Sequence, residues 1–420
     1  MSSASAGKRV ASLQRQSQRS DMATPVRDSG SPLSVDAELW PVLKTAQGEF
    51  VVEGADHAET IDSGVLFHRL PESSIARIPM EFFRAVEAQP TGVRFAMTTR
   101  ATSIELLVTT TVTVFFPDEP VESFGQFDLL IDGKQHSHVI VKSGGIRTMN
   151  VLTNSSTVEA GEAVTVRFDG LPETDKTVEI WLPHGVEVTV ASLDADAPIS
   201  ATRNTRPTWL HYGSSISHGV NAQAPTGTWP AVAAATAGVS LSSLGFSGNA
   251  MLDHFVATAI RDKYADLISL EIGINVINHD GFRTRTFVPA VTAFLDVIRE
   301  GHPLTPIWIV SSVLCPIVED RPGPTMLVGE PGARRAATDG LPHDVERGRL
   351  SLSLTRDLLR QIVASRTPED SNLHYLDGRE LYGETEYAAM PMQDGLHPDS
   401  DAHHHMGARF ADLVLGNQLR

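Results

Sequence analysis

The feature that most constrains this chain is a change of hydrophobic period near residue 200. Before it, short runs alternate apolar and polar residues: GVRFAM, SIELLVTTTVTVFF, FDLLID, HSHVIVK, AVTVRF, TVEIWLP and VEVTVASL. Successive side chains of a strand point to opposite faces, so a period of two marks strands with one buried and one wetted face. Gly, Pro, Asp and Asn separate the runs and supply the turns. Residues 37–200 therefore read as an all-β, antiparallel sandwich of jelly-roll-like type, behind a flexible Ser-, Arg- and Gln-rich tail over 1–36.

Beyond DADAPISATRNTRPT the pattern becomes apolar strand, turn, helix, repeated. The predicted strands are TWLHYG, VSLSSLG, ADLISLEIG, TPIWIVSSV and NLHYLDG. Helical segments fall between them: TWPAVAAATAG, NAMLDHFVATAIRDK, TFVPAVTAFLDVIREG and VERGRLSLSLTRDLLRQIVASR, with a last helix after Pro398. Such alternation builds βαβ units, hence a mainly parallel sheet with helices on both faces over residues 201–420. In these sheets ligands bind at the carboxyl ends of the strands.

Composition narrows the function. A net charge of −17 argues against nucleic-acid and anionic-membrane partners, which need clustered Lys and Arg. The single cysteine, Cys315, rules out an intrachain disulfide and a Cys-built metal site. The first thirty residues carry no apolar segment of the signal-peptide kind, and no stretch has the roughly 18 apolar residues of a membrane span, so a cytoplasmic protein is expected.

The strand ends carry the chemistry. The first ends in HYGSSISHG, where Ser215 follows a buried strand and Gly213, a position suited to a nucleophile, with Ser214 and Ser217 as rival hydroxyls. The second ends in SLGFSGNA and the third in EIGINVIN, so Gly248 and Asn275 offer an N–H and an amide to an anion. The loop DGLHP sets Asp394 three residues before His397, within reach of its Nδ1. Singly, each is also explained as a turn or cap residue.

Together and in order, GSSI, FSGN, GIN and DGLHP resemble the sequence blocks of the SGNH (GDSL-like) serine hydrolases, from about Thr208 to the C-terminus. Two positions depart from the family pattern: Ser214 replaces the usual Asp of the first block, and Ser243 stands where the second often has Asn. The resemblance implies a three-layer α/β/α domain with Ser215, His397 and Asp394 as catalytic triad. The Ser215 and Gly248 N–H groups and the Asn275 amide form the oxyanion hole, and no metal or organic cofactor takes part. A β-sandwich ahead of such a domain resembles the two-domain carbohydrate esterases, which implies a small-molecule or glycan ester substrate, with acetyl as the expected acyl group. Competing readings are a lipase, phospholipase or thioesterase on the same scaffold, and a sugar-binding protein without catalysis. The β half is a candidate for glycan binding, for walling the site, or for homo-oligomer formation.

His218, Trp229 and His254 flank the expected pocket and are candidate substrate contacts, with structural roles as the alternative. Cys315 sits among apolar neighbours with no cation to activate it, so an inert thiol is expected. His403, His404 and His405 are consecutive on a helix, point about 100° apart, and cannot converge on one metal.

Overall fold

The computed structural model describes residues 34–36, 40–150, 153–202 and 204–418. Most of the tail expected over 1–36 lies outside these, but Ser34–Asp36 forms a strand, antiparallel to Val42–Thr45, so the β structure begins earlier than the alternation suggested.

In the C-terminal half, Thr208–Gly213, Ser240–Gly245, Leu267–Ile272, Ile307–Ser311 and Leu373–Leu376 form one parallel sheet, in the spatial order second, first, third, fourth, fifth. Strands of this kind are covered on both faces, and adjacent residues serve opposite cores. Leu210 and Ile268 pack with helices His254–Asp262, Thr284–Gly301 and Leu352–Arg366, whereas Trp209 and Leu267 pack with Trp229–Ala237 and Ser400–Phe410. The order of the sheet reverses between the first and third strands. That opens a crevice at their carboxyl ends.

The N-terminal half holds two larger sheets, one of eight strands and one of seven, around one core. Phe50, Phe95, Phe127 and Ile180 from the first meet Phe67, Leu106, Phe168 and Val188 from the second. Two pairings depart from the expected antiparallel pattern: Gly145–Asn150 runs parallel to Ser103–Val114, and Ile199–Ala201 runs parallel to Gly48–Glu53.

This half is also not all β. Helices Glu72–Ile75 and Glu81–Glu87 interrupt it, and Ile78, Phe83 and Val86 of this stretch pack into the core of the other half. Their partners are too distant in sequence for local periodicity to reveal. Arg69, fully buried, fixes the junction: Nη1 donates to the Gly245 carbonyl (2.6 Å), Nη2 to that of Val86 (2.6 Å), and the guanidinium lies over the Phe246 ring. Thr91 Oγ1 donates to the His218 carbonyl (2.8 Å), and Thr226 Oγ1 to the buried Asp128 carboxylate (2.6 Å).

Two helices begin later than their apolar pattern suggested, at His254 and at Leu352. The residues just before the first form an irregular turn in which Leu252 is left-handed (φ 60°), and before the second Gly348 (φ 88°) breaks the chain and Ser351 caps the helix. The loop after the fourth strand contains an unforeseen hairpin, Thr325–Val328 paired with Arg335–Thr338.

Candidate active site

The first strand delivers its serines through a turn with no spare room. A Cβ on Gly213 would lie 2.3 Å from Ser217 Oγ, so glycine is required for the chain to fold back this closely. Ser214 then caps a single helical turn, Ser215–His218, its Oγ accepting the Ile216 N–H at 3.3 Å. Ser215 is thus the first helical residue, where a backbone N–H has no partner inside the helix.

Three serines were rivals, and the structure separates them. Ser217 Oγ is engaged by His211 Nε2 (2.8 Å), whose Nδ1 meets Ser269 Oγ (2.7 Å). Burial pushes His211 down to about 3, so its ring is neutral. Ser214 Oγ is occupied as the cap. Ser215 Oγ lies 2.9 Å from His397 Nε2.

The loop before the last helix holds that imidazole from two directions. Asp394 Oδ2 accepts His397 Nδ1 at 2.6 Å, and Asp394 Oδ1 accepts the backbone N–H groups of Leu396 and His397, each at 2.8 Å. Burial would raise the Asp394 carboxyl, but the hydrogen bonds and charge of His397 and the two backbone donors outweigh it and hold the group down at about 2. The carboxylate fixes Nδ1 as the protonated nitrogen and leaves the Nε2 lone pair facing Ser215.

Gly248 and Asn275, the two other residues expected from sequence to act as donors, lie just beyond neighbouring strand ends. Gly248 follows the second strand in a left-handed conformation (φ 69°) and its carbonyl accepts His279 Nε2 at 2.8 Å. Asn275 lies in helix Ile274–Asn278 after the third strand, 2 % exposed. Its Oδ1 accepts the Ala250 N–H at 3.0 Å, which assigns the other amide terminus as NH2 and leaves it to donate elsewhere.

Glu271 was missed by sequence reasoning. Buried at the end of the third strand, it accepts the Ser214 N–H (2.8 Å) and the Ser312 hydroxyl (2.8 Å), while Ser312 Oγ accepts the Ile274 N–H (2.8 Å). One carboxylate therefore ties together the ends of three adjacent strands. A charge inside the otherwise apolar run ADLISLEIG was the available signal.

Of the three candidate substrate contacts, His218 and Trp229 are buried in structural roles and His254 is exposed. His218 is buried with Nδ1 on the Gly245 carbonyl (2.9 Å) and Nε2 on the His184 carbonyl (2.6 Å), joining the halves. Trp229 is buried in an aromatic cluster with Trp209, His211 and Phe410, because its helix packs that face against the sheet. His254 opens its helix with an exposed side chain and makes no described hydrogen bond to Ser215, Asp394 or His397. Cys315 is buried beside the Gly395 carbonyl (3.6 Å), and burial pushes its thiol up to about 12, away from the reactive thiolate. In the histidine run, His403 accepts the Trp229 N–H with Nδ1 (3.1 Å) and donates through Nε2 to the Val220 carbonyl (3.0 Å), which is a packing role. Among the described residues no helix is long and apolar enough to cross a membrane.

Residues 208–316 match the GDSL-like Lipase/Acylhydrolase family. No curated protein sequence matches the chain. Among solved structures, it resembles a salicylyl-acyltransferase from a tetracycline biosynthetic pathway at 27% identity and a TM-score of 0.74, covering 92% of this chain and 100% of that one. A GDSL-like lipase candidate from Bacteroides ovatus has 19% identity and a TM-score of 0.60, covering 84% of this chain and 91% of that one. An active-site mutant of a family two carbohydrate esterase from Clostridium thermocellum has 13% identity and a TM-score of 0.52, covering 77% and 91%.

Proposed function

We propose, from the premise that the C-terminal half has the SGNH, GDSL-like acylhydrolase fold, that this chain is a serine esterase working through Ser215, His397 and Asp394. The observation that carries the reading is the relay itself, with 2.6 Å from Asp394 Oδ2 to His397 Nδ1 and 2.9 Å from His397 Nε2 to Ser215 Oγ.

In this mechanism His397 Nε2 takes the Ser215 proton as Oγ attacks the ester carbonyl, and Asp394 stabilises the imidazolium. The N–H groups of Ser215 and Gly248 and the Asn275 amide receive the oxyanion. Collapse of the tetrahedral intermediate breaks the ester C–O bond, and His397 returns the proton to the departing alcohol. Water then repeats the sequence on the acyl-serine and releases the acid. Every charge that develops is met by a group already in place, and no step needs a metal or organic cofactor.

On the alcohol side this reading favours a polyhydroxylated partner such as a carbohydrate. Supporting it is a cleft of about 700 Å³ between the halves, whose lining mixes polar Glu122, Gln126, His138, Lys142 and Gln223 with apolar Val112, Ile140, Pro183 and Val186. It borders the loop in which Asn221 Nδ2 donates to the His397 carbonyl (3.5 Å). Acetyl is the acyl group expected from sequence.

A second reading replaces water by another alcohol as acceptor. It is favoured by the likeness, over 92% of the chain, to an acyltransferase. A fluorophosphonate probe tests the shared nucleophile: wild type labels, Ser215→Ala does not, and a folded wild type that stays unlabelled overturns both readings. Product analysis with p-nitrophenyl acetate and glycerol then separates hydrolysis from transfer, through the ratio of free acid to glyceryl ester.

A further inference from the structure

The helix Glu81–Glu87, contributed by the N-terminal half, turns Phe83 inward and leaves the preceding Phe82 partly exposed beside Gly248. Phe83 is buried against Phe246 (5.1 Å between ring centroids) and Phe255 (5.7 Å). Phe82, about 100° around the helix, stays partly exposed. Its edge meets Gly248: a Cβ placed there would lie 3.1 Å from Phe82 Cε1 and 3.7 Å from Phe82 Cζ. Phe115, just past the end of strand Ser103–Val114, stands edge-on to Phe82 with centroids 5.1 Å apart and is 39% exposed. One aromatic ring from the N-terminal half, Phe82, thus stands beside the glycine of the proposed oxyanion hole, with a second, Phe115, packed against it.

The apolar ground continues on the hairpin. Its strand Thr325–Val328 lies against helix Ile274–Asn278, which carries Asn275, and exposes Met326, Leu327 and Val328. The other strand is anchored to the catalytic loop through the Ala336 N–H, which donates to the Asp394 carbonyl at 2.7 Å. At the tip Arg334 pairs with Asp118 and Glu119 and covers the Phe116 ring. The hairpin therefore spans from the catalytic loop to the segment just after Phe115.

Reaction stereochemistry says which part of a substrate meets this ground. The leaving oxygen must reach His397 Nε2 to be protonated, and the oxyanion must point at its N–H donors. The acyl substituent takes the remaining direction, away from His397, and Phe82 against Gly248 offers it an apolar wall. Resting on the serine-esterase reading above, we infer that Phe82 and Phe115 wall an acyl subsite that selects an aromatic acyl group over acetyl. Ring edges and faces are offered there for offset or edge-to-face stacking. An acetyl group is too small to touch both rings.

The test is kcat/KM for p-nitrophenyl benzoate and p-nitrophenyl acetate, each divided by its spontaneous hydrolysis rate, on wild type, Phe82→Ala and Phe115→Ala. Fluorophosphonate labelling and circular dichroism are run on the same preparations. Wild type is expected to favour benzoate by about tenfold or more, and each variant to lower that preference by about tenfold. Phe115, the more exposed ring, serves where Phe82→Ala does not fold. A wild type that labels but prefers acetate, or folded variants with an unchanged or raised benzoate preference, overturns the aromatic wall alone. Folded wild type without labelling overturns the serine-esterase reading, and the wall with it.

Discussion

Asp394 grips His397 twice, through the ring Nδ1 with one carboxylate oxygen (2.6 Å) and through the backbone N–H with the other (2.8 Å). The proposed base and the group that would orient it are therefore parts of one short turn. Neither depends on a distant strand for its relation to the other, and the turn as a whole has only to be docked against Ser215.

Replacing Asp394 by Asn is expected to fold and to lower kcat by about three to four orders of magnitude. The Asn NH2 would face His397 Nδ1 and favour the tautomer in which Nε2 carries the proton, which cannot accept one from Ser215. Steady-state kinetics on any turned-over p-nitrophenyl ester reads this, and a loss under tenfold would argue that Asp394 does not orient the base.

The same carboxyl predicts a pH dependence of stability. Its folded value, about 2, lies below the ordinary 3.8, so its stabilisation is complete above the unfolded value and is lost as pH falls toward the folded one. The stability difference between wild type and Asp394→Asn, from urea unfolding, should close between about pH 4 and pH 2. A difference that stays constant across that lower interval would contradict the assignment.

In the proposed mechanism Asn275 has separable duties, since Oδ1 accepts the Ala250 N–H and the NH2 would be left for the oxyanion. Asn275→Ala should lower kcat by about 10² to 10³ and also destabilise the fold by about 1 to 3 kcal/mol, because the buried Ala250 N–H loses its acceptor. Asn275→Asp keeps that acceptor while removing the donor. Its melting temperature should stay nearer wild type than that of the alanine variant, with kcat at least as impaired.

Arg69 lies outside the C-terminal half yet supports the loop leading to Gly248. Arg69→Met preserves the length of the side chain but leaves the Gly245 and Val86 carbonyls without their charged donor. We expect a loss of roughly 2 to 4 kcal/mol in urea unfolding, with a fall in kcat larger than any change in KM, since the proposed oxyanion glycine would lose its backing. Unaltered stability would mean that water replaces the guanidinium without cost.

The local signals in the sequence settled a good deal. Apolar strands followed by helical periods specified the parallel sheet, because a side chain's burial on a strand or helix follows from spacing a few residues wide. All five strands of that sheet were legible, as was the DGLHP turn, whose internal hydrogen bonds join residues only two and three apart. What only the tertiary structure decided rests on contacts between distant segments. Ser215 is set apart from Ser217 by His211 and brought to His397 across 182 residues; Glu271 braces three strand ends; and Arg69 and Phe82 cross from the other half. His218 and Trp229, adjacent in sequence to the expected pocket, are turned into the interior by packing partners that no local period encodes. Hydrophobic spacing tells which face of an element is buried; which other element covers it is decided by the order of the strands and the docking of the two halves.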